Sequence, residues 1–423
     1  MKIGMIGLGD MGKLYARTFA KAGLKVAGCD LPDRKSALVD ELTSFGISVL
    51  DDAKEVANTC DFIFYAVEAE KIDEVVKQTA DAIKVNALVT AMTSVKTPEV
   101  AAFDKYLPKS CEIILTHSLH GSGFETKGQK LIVAPHRISS ENYKKALKIL
   151  SVLESEIIEL TDYHQHDQIM ADTQAVTHMG FESMGTAWKN AGTYPWESGA
   201  YVSGIDNVKI LTTLRIFSYK AHIYAGLAIL NPYAAKQIAA YASSESTLFK
   251  MMIQEDEENF RERIYKARDF VFHGQPNLIL FDDNIMKEFS VGNNSALAKP
   301  NSHLSLLAMV DAWYQLQINP YDNLMCQTPP FKLRLGIVEY LFKNDALLEE
   351  TIQTALYDKS IRGDDLEFHT AVREWASLIN YQDMEGYKSH FKQAKDFFEP
   401  LLEKGRIQSA ELIKRLSKPS QSI

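Results

Sequence analysis

The chain opens on a glycine pattern that leaves few folds available to it. Gly7-Leu8-Gly9-Asp10-Met11-Gly12 is a G-x-G-x-x-G turn. It follows Lys2 to Ile6, which reads as a short buried strand. It leads into Met11 to Ala22, where Leu14, Tyr15, Phe19 and Ala22 recur at helical spacing and Gly23 stands at the C-cap position. In that context the pattern marks a dinucleotide-binding corner. The first glycine permits the tight turn, the second lets a pyrophosphate approach the backbone, and the third lets the helix pack on the sheet. The helix N-terminus offers N–H donors and a partial positive charge to the phosphates. Leu8, Asp10 and Met11 complete the loop. Asp30 closes the second strand, where an acid accepts from a ribose 2′-hydroxyl and favours NAD. Arg34 and Lys35 follow closely and would instead clamp a 2′-phosphate. From these residues alone, NAD and NADP both stay open.

Strand and helix signals alternate through the first part of the chain. Lys25 to Cys29, Asp61 to Val67, Ala87 to Met92, Glu112 to Thr116 and Leu131 to Ala134 read as strands. Ala69 to Ile83 and Asn142 to Leu153 read as helices between them. Such alternation predicts a doubly wound, mostly parallel sheet, an α/β Rossmann domain over residues 1–160. Beyond Leu160 the pattern turns helical. Thr161 or Asp162 would cap a long helix to about Lys189, and breaks fall at Tyr194-Pro195, Asn231-Pro232, Gly274 to Pro276 and Gly292 to Pro300. An all-α domain over 161–415, for substrate binding and dimerisation, and a frayed tail over 416–423 are expected. No internal repeat is evident.

Composition narrows the partners. At 423 residues the chain exceeds what one core usually serves, and 46% hydrophobic with 24% charged residues is ordinary globular composition. A net charge of -9 argues against nucleic acid or an anionic membrane as partner. Cys29, Cys60, Cys111 and Cys326 form no C-x-x-C pair, so neither a disulfide framework nor a zinc site is expected. There is no signal peptide and no apolar run long enough to span a bilayer, so the cytoplasm is the expected compartment.

Ligands of an open parallel sheet lie beyond the carboxyl ends of its strands. Two segments fall there: Thr93-Ser94-Val95-Lys96 and His117-Ser118-Leu119-His120-Gly121-Ser122-Gly123. A strand-end histidine before a glycine-rich loop can work as a base near neutral pH, which makes His117 the candidate and His120 its neighbour. His164-Gln165-His166-Asp167 resembles a metal cluster at first sight, but its side chains start a helix and diverge, so a polar helix start is expected and no metal. His178 lies deep in the long helix, as core or as a substrate ligand.

These motifs together resemble a known family. GLGDMG, TSVK, HSLHG and HDQIMADTQAVTH stand in the order and rough spacing of prephenate dehydrogenases, and YPW, HIYAGLAILNP, PNSHLSLLA and DDLEF resemble the fungal tyrosine-pathway members. The resemblance covers essentially the whole chain. It implies oxidative decarboxylation of prephenate to 4-hydroxyphenylpyruvate, a monofunctional enzyme with no chorismate mutase segment ahead of the first strand, NADP as usual acceptor, and a homodimer. The family's catalytic histidine falls on His117, the serine of its G-S-V-K-like turn on Ser94, and the histidine of its Q-A-x-x-H helix on His178. Two departures stand out. Ser118 replaces the proline after the catalytic histidine. The stretch Tyr224 to Pro232 lacks the arginine that bacterial members use to bind substrate.

Prephenate is a dianion, so an acidic protein must gather cations for it. Arg215 and Lys220 are the candidates, with His178 as a neutral donor and His117 as the base; arginine ranks first for its bidentate grip on carboxylates. Ser94 would hold the substrate hydroxyl or orient His117. The rival enzyme class is the β-hydroxyacid dehydrogenases related to 6-phosphogluconate dehydrogenase, which need a lysine where this chain's second-domain helix offers histidine and glutamine. A non-enzymatic NADP-sensing protein would not need the strand-end base.

Overall fold

The computed structural model describes residues 1–195, 204–274, 280–281, 283–288, 300–326 and 328–416. Trp196, Pro276, most of the 292–300 break and the 417–423 tail lie outside them. The chain divides into two compact units. One is Met1–Met170 with Leu230–Pro232, the other Ala171–Ile229 with Tyr233–Ile423.

The first unit is built on one eight-stranded sheet. Its strands are β1 (Lys2–Ile6), β2 (Lys25–Cys29), β3 (Ser48–Val49), β4 (Phe62–Tyr65), β5 (Leu88–Ala91), β6 (Glu112–Ser118), β7 (Lys130–Arg137) and β8 (Glu156–Glu159), in the order β3-β2-β1-β4-β5-β6-β7-β8. All neighbours pair in parallel except β6 and β7. The expected mostly parallel sheet is therefore present. The sequence reading missed β3 and β8, whose short or charge-flanked stretches carry little apolar signal. Alternation along β4 shows why a doubly covered strand reads as one apolar run. Phe62 and Phe64 point to one core and Ile63 and Tyr65 to the other.

Helices cover both faces: α1 (Asp10–Lys21), α2 (Lys35–Leu42), α3 (Ala53–Thr59), α4 (Ile72–Thr79), α5 (Thr97–Tyr106), α6 (Ser140–Leu150) and α7 (Tyr163–Met170). On the α1 side, Phe19 meets Phe64 at 5.4 Å and Phe64 meets Phe62 at 4.5 Å between ring centroids. Tyr15 donates to or accepts from Ser118 Oγ at 2.6 Å, fixing α1 against the end of β6. The carboxyl ends of β1, β4, β5 and β6 thus share one edge, and the glycine turn, the Thr93–Lys96 turn and His117 all lie along it.

The second unit is helical. It starts with a π-helical stretch, Ala171–Ala175, so the long helix expected to Lys189 is really α7, this wider turn, and α8 (Val176–Ala191). Such a turn leaves a carbonyl out of the regular ladder. Arg334 Nη1 donates to Val176 O at 2.8 Å just beyond it. The remaining helices are α9 (Gly204–Phe217), α10 (Ala221–Ile229), α11 (Ala234–Gln254), α12 (Glu257–Phe272), α13 (Asp283–Glu288), α14 (Leu304–Leu316), α15 (Pro329–Lys343), α16 (Asp345–Tyr357), α17 (Arg362–Asn380) and α18 (Met384–Leu416). No described helix is long and apolar enough to cross a membrane.

The helical unit repeats itself, which corrects the expectation of no internal repeat. Pairing His178 with His303 aligns, at one constant offset, Met184 with Met309, Ala187 with Ala312, Trp188 with Trp313, Lys209 with Arg334 and Phe217 with Phe342. At a slightly longer offset, Phe260, Ala267, Asp269 and Phe270 align with Tyr387, Ala394, Asp396 and Phe397. The helices α8 to α12 therefore correspond in order to α14 to α18. Packing is reciprocal: α8 lies on α17 and α14 on α11, while α9 lies on α18 and α15 on α12. Each five-helix repeat covers its apolar faces with the other.

Close packing inside the first repeat depends on Gly185, where an added Cβ would lie 2.3 Å from Phe217 Cε2. Phe217 cannot yield, since its ring is wedged against Phe391 and Phe398. Gly185→Ala is expected to cost roughly 1–3 kcal/mol, read as a thermal midpoint several degrees lower with the fold retained.

Candidate functional site

The glycine turn is shaped for close approach. Gly7 has a φ of +101°, and a Cβ there would lie 2.5 Å from Ala66 O. At Gly12 it would lie 2.1 Å from Gly7 O. At Gly9 it would meet nothing within 4 Å, so the middle glycine faces an open cradle. No side chain caps α1, which leaves that task to a ligand's phosphates. The donor set and the open cradle fit a dinucleotide.

Asp30 does not stand ready for a ribose hydroxyl. Its Oδ2 accepts from Leu8 N at 2.7 Å and from Arg34 Nη1 at 2.8 Å, and its Oδ1 accepts from Leu31 N. The carboxylate braces the glycine turn and is offset by Arg34, which stays partly exposed. An acid at this strand end is thereby compatible with a 2′-phosphate. Lys35, the second basic residue, pairs with Asp51.

The end of β6 carries the second constellation. His117 is buried, and its Nδ1 lies 2.9 Å from His166 Nε2. His166 Nδ1 lies 2.7 Å from Asp167 Oδ1. Asp167 Oδ1 also accepts from Lys96 N, and Oδ2 from Thr97 N and Thr97 Oγ1, at 2.6–2.7 Å. The carboxylate sits on the N-terminus of α5, where the helix dipole favours a negative charge. Burial pushes Asp167 up, but His166, Thr97 and Lys96 N outweigh it and hold the carboxyl below its ordinary value.

An ionised Asp167 fixes the tautomers outward. It accepts, so His166 carries its proton on Nδ1 and presents Nε2 as an acceptor. His117 must then donate from Nδ1, which leaves its Nε2 with a bare lone pair. Burial pulls His117 well below the ordinary histidine value, aided by His166, Lys96 and His120. Burial lowers His166 as well.

Beneath the histidines lies a buried ion pair. Lys96 Nζ donates to Glu99 Oε1 and to Thr116 O, each at 2.7 Å, and Glu99 Oε1 accepts from Thr93 N and Oγ1. The T-S-V-K turn is therefore held by its own lysine. Ser94 stands half-buried in it and makes no hydrogen bond to His117; the orienting role falls to His166. His120 Nδ1 lies 3.1 Å from Gly121 O, and its buried Nε2 has no partner.

His166 and Asp167 were missed as functional residues. They do begin a helix, as expected, but they do not diverge into solvent: both are buried. Among the described residues no group of three ligands could hold a metal ion. The available signal was a His-Asp step ahead of an apolar helix face.

In the helical unit, His178 is buried with its ring edge-on to Tyr224 at 4.8 Å, and its Nδ1 has no partner. Burial and the Arg334 guanidinium pull it down to about 3. Arg215 is buried over the Tyr219 ring, whereas Lys220 is exposed. Sequence reasoning overlooked Arg334, a fully buried arginine between the Phe181 and Tyr241 rings.

Comparison with known proteins now decides the family. The chain is 44% identical over 423 residues to the prephenate dehydrogenase [NADP(+)] of Saccharomyces cerevisiae, covering 98% of this chain and 93% of that one. This chain belongs to the prephenate dehydrogenase family. A probable prephenate dehydrogenase [NADP(+)] of Schizosaccharomyces pombe is 41% identical over 426 residues, covering 99% of each. Residues 2–153 match the NAD binding domain of 6-phosphogluconate dehydrogenase, and residues 175–418 match a 6-phosphogluconate dehydrogenase C-terminal domain. A crystal structure of the A. aeolicus prephenate dehydrogenase is similar at 18% identity and a TM-score of 0.49, covering 62% of this chain and 94% of that one. Within the family the NADP reading gives Arg34 a partner. Arg34→Ala is expected to raise the Kd for NADP+ by about tenfold or more, about 1.4 kcal/mol, with little change for NAD+, measured by fluorescence titration.

Proposed function

We propose that this chain oxidises and decarboxylates prephenate to 4-hydroxyphenylpyruvate with NADP+, as a step toward tyrosine, and that His117 is its base. The observation that carries the assignment is the Asp167–His166–His117 chain, which ends in an unprotonated Nε2 at the strand edge that also bears the glycine turn. NADP+, when bound, supplies the hydride acceptor. His117 Nε2 takes the proton of the substrate 4-hydroxyl as C4 gives up its hydride. The same proton completes the phenol once the C1 carboxylate has left as CO2, and aromatisation drives the step. The protein's task is positioning and proton handling. Ser94, with an unengaged hydroxyl in the neighbouring turn, is the proposed partner of the substrate hydroxyl, and His120 and His178 are proposed contacts.

The carboxylates need cations. Arg215 is the stronger of the two proposed here, because a buried guanidinium is less screened than the exposed Lys220. Arg334 acts by keeping His178 neutral. Homodimerisation through the helical unit is part of the same reading, supported by the exposed side chains of Ile253, Tyr357, Leu366 and Tyr381, as is a cytoplasmic location. Light scattering on the purified chain reads the first.

The direct test is absorbance at 340 nm with prephenate and NADP+. A rise is expected, and no rise in folded, cofactor-binding protein would overturn the reading. His117→Asn should lose roughly 10²–10⁴-fold in kcat with NADP+ affinity intact. Because His117 sits well below 6.5, the acid limb of kcat/KM should lie below pH 6.5; a limb centred above about 7 would contradict the assignment.

Asp167→Asn tests the tautomer argument. An asparagine can donate to His166 Nδ1, which forces the proton onto His166 Nε2 and then onto His117 Nε2. A loss on the order of 10²–10⁴-fold in kcat is expected, with a nearly unchanged Kd for NADP+.

A further inference from the structure

A cavity of about 160 Å³ lies wholly within the helical unit, walled by Met184, Trp188, Phe368, Lys209, His303 and Asp365 among others. Its place in the repeat is informative. His303 is the counterpart of His178, and Lys209 the counterpart of Arg334. The second repeat's histidine thus faces the first repeat's cation, as His178 faces Arg334. Where Arg334 fills its own site completely, Lys209 leaves space.

The walls are charged and specifically arranged. Lys209 Nζ lies 2.8 Å from His303 Nδ1 and 3.5 Å from Asp206 Oδ1. His303 Nδ1 receives the lysine, so its Nε2 carries the proton, and that atom has no partner among the described residues. His303 is held at a φ of 45°, in the left-handed region, with its N–H on Asn301 Oδ1. Non-glycine residues are kept in that region only where surrounding structure enforces it. Asp365 Oδ1 accepts from Ser302 Oγ at 2.5 Å, while Oδ2 has no hydrogen-bond partner; its nearest cation is Arg362 Nη1 at 3.8 Å. An unsatisfied buried carboxylate oxygen beside open space is costly unless something enters to meet it. Burial lifts Asp365 to about 6, so a cation arriving there would restore its charge.

We infer that this cavity is a second small-molecule site, built for a zwitterionic α-amino acid with an apolar side chain. Lys209 and His303 Nε2 take the carboxylate, Asp365 Oδ2 takes the ammonium, and Trp188, Phe368 and Met184 receive the side chain. A simple anion would meet the acids, and a simple cation would meet the lysine. Only a ligand bearing both charges on adjacent atoms satisfies both walls.

The test is isothermal calorimetry of the full chain with L-phenylalanine as probe, reading binding without turnover. Saturable binding is expected in the wild type. Ala187→Leu, which fills the cavity from α8, and Asp365→Asn, which keeps the Ser302 bond, should each weaken it at least tenfold, with kcat and KM for prephenate within about twofold. No binding at millimolar probe, or equal binding to both variants, would overturn the proposal. Binding that survives Ala187→Leu while raising the KM for prephenate would place the probe in the catalytic site and overturn it as well.

Discussion

The carboxylate of Asp167 organises the first unit's chemistry. It caps α5, holds the Lys96-Thr97 backbone, and sets the proton on His166. Four donors around two oxygens keep it ionised although it is buried. Every statement about His117 passes through that charge, because tautomers two rings away follow from which group must accept. Asn231 adds to this by donating from Nδ2 to Asp167 O, so the Asn231-Pro232 break contributes to the first unit although it lies far along the chain.

The buried Lys96–Glu99 pair serves the same edge differently. A desolvated ion pair contributes little net stability. Its value here is geometric and electrostatic. Lys96 ties the turn after β5 to Thr116, next to the histidine, and its charge discourages protonation of His117. Asp30 shows a comparable arrangement at the cofactor end, bracing Leu8 while neutralised by Arg34. In both places an acid whose simplest reading is ligand binding proves to be a scaffold for a neighbour.

What the sequence disclosed follows from how local the cause is. The glycine turn, β1, β2 and the strand-end position of His117 depend on a few adjacent residues and were legible. The roles of His166 and Asp167 depend on where α7 comes to rest against the turn after β5, and no local pattern carries that. The repeat was hidden because corresponding positions keep character more than identity: Lys209 answers Arg334, and Phe260 answers Tyr387. Arg334 and Lys209 were overlooked because, within helical runs, a lone cation reads as a solvated face.

The measurement that bears most directly on this account is the ¹⁵N spectrum of the histidine side chains at neutral pH, with His117 assigned by substitution. The account predicts neutral His117 with the proton on Nδ1 and a bare Nε2, shifting to the opposite tautomer in Asp167→Asn. A protonated Nε2 in the parent protein, or a cationic His117, would contradict it.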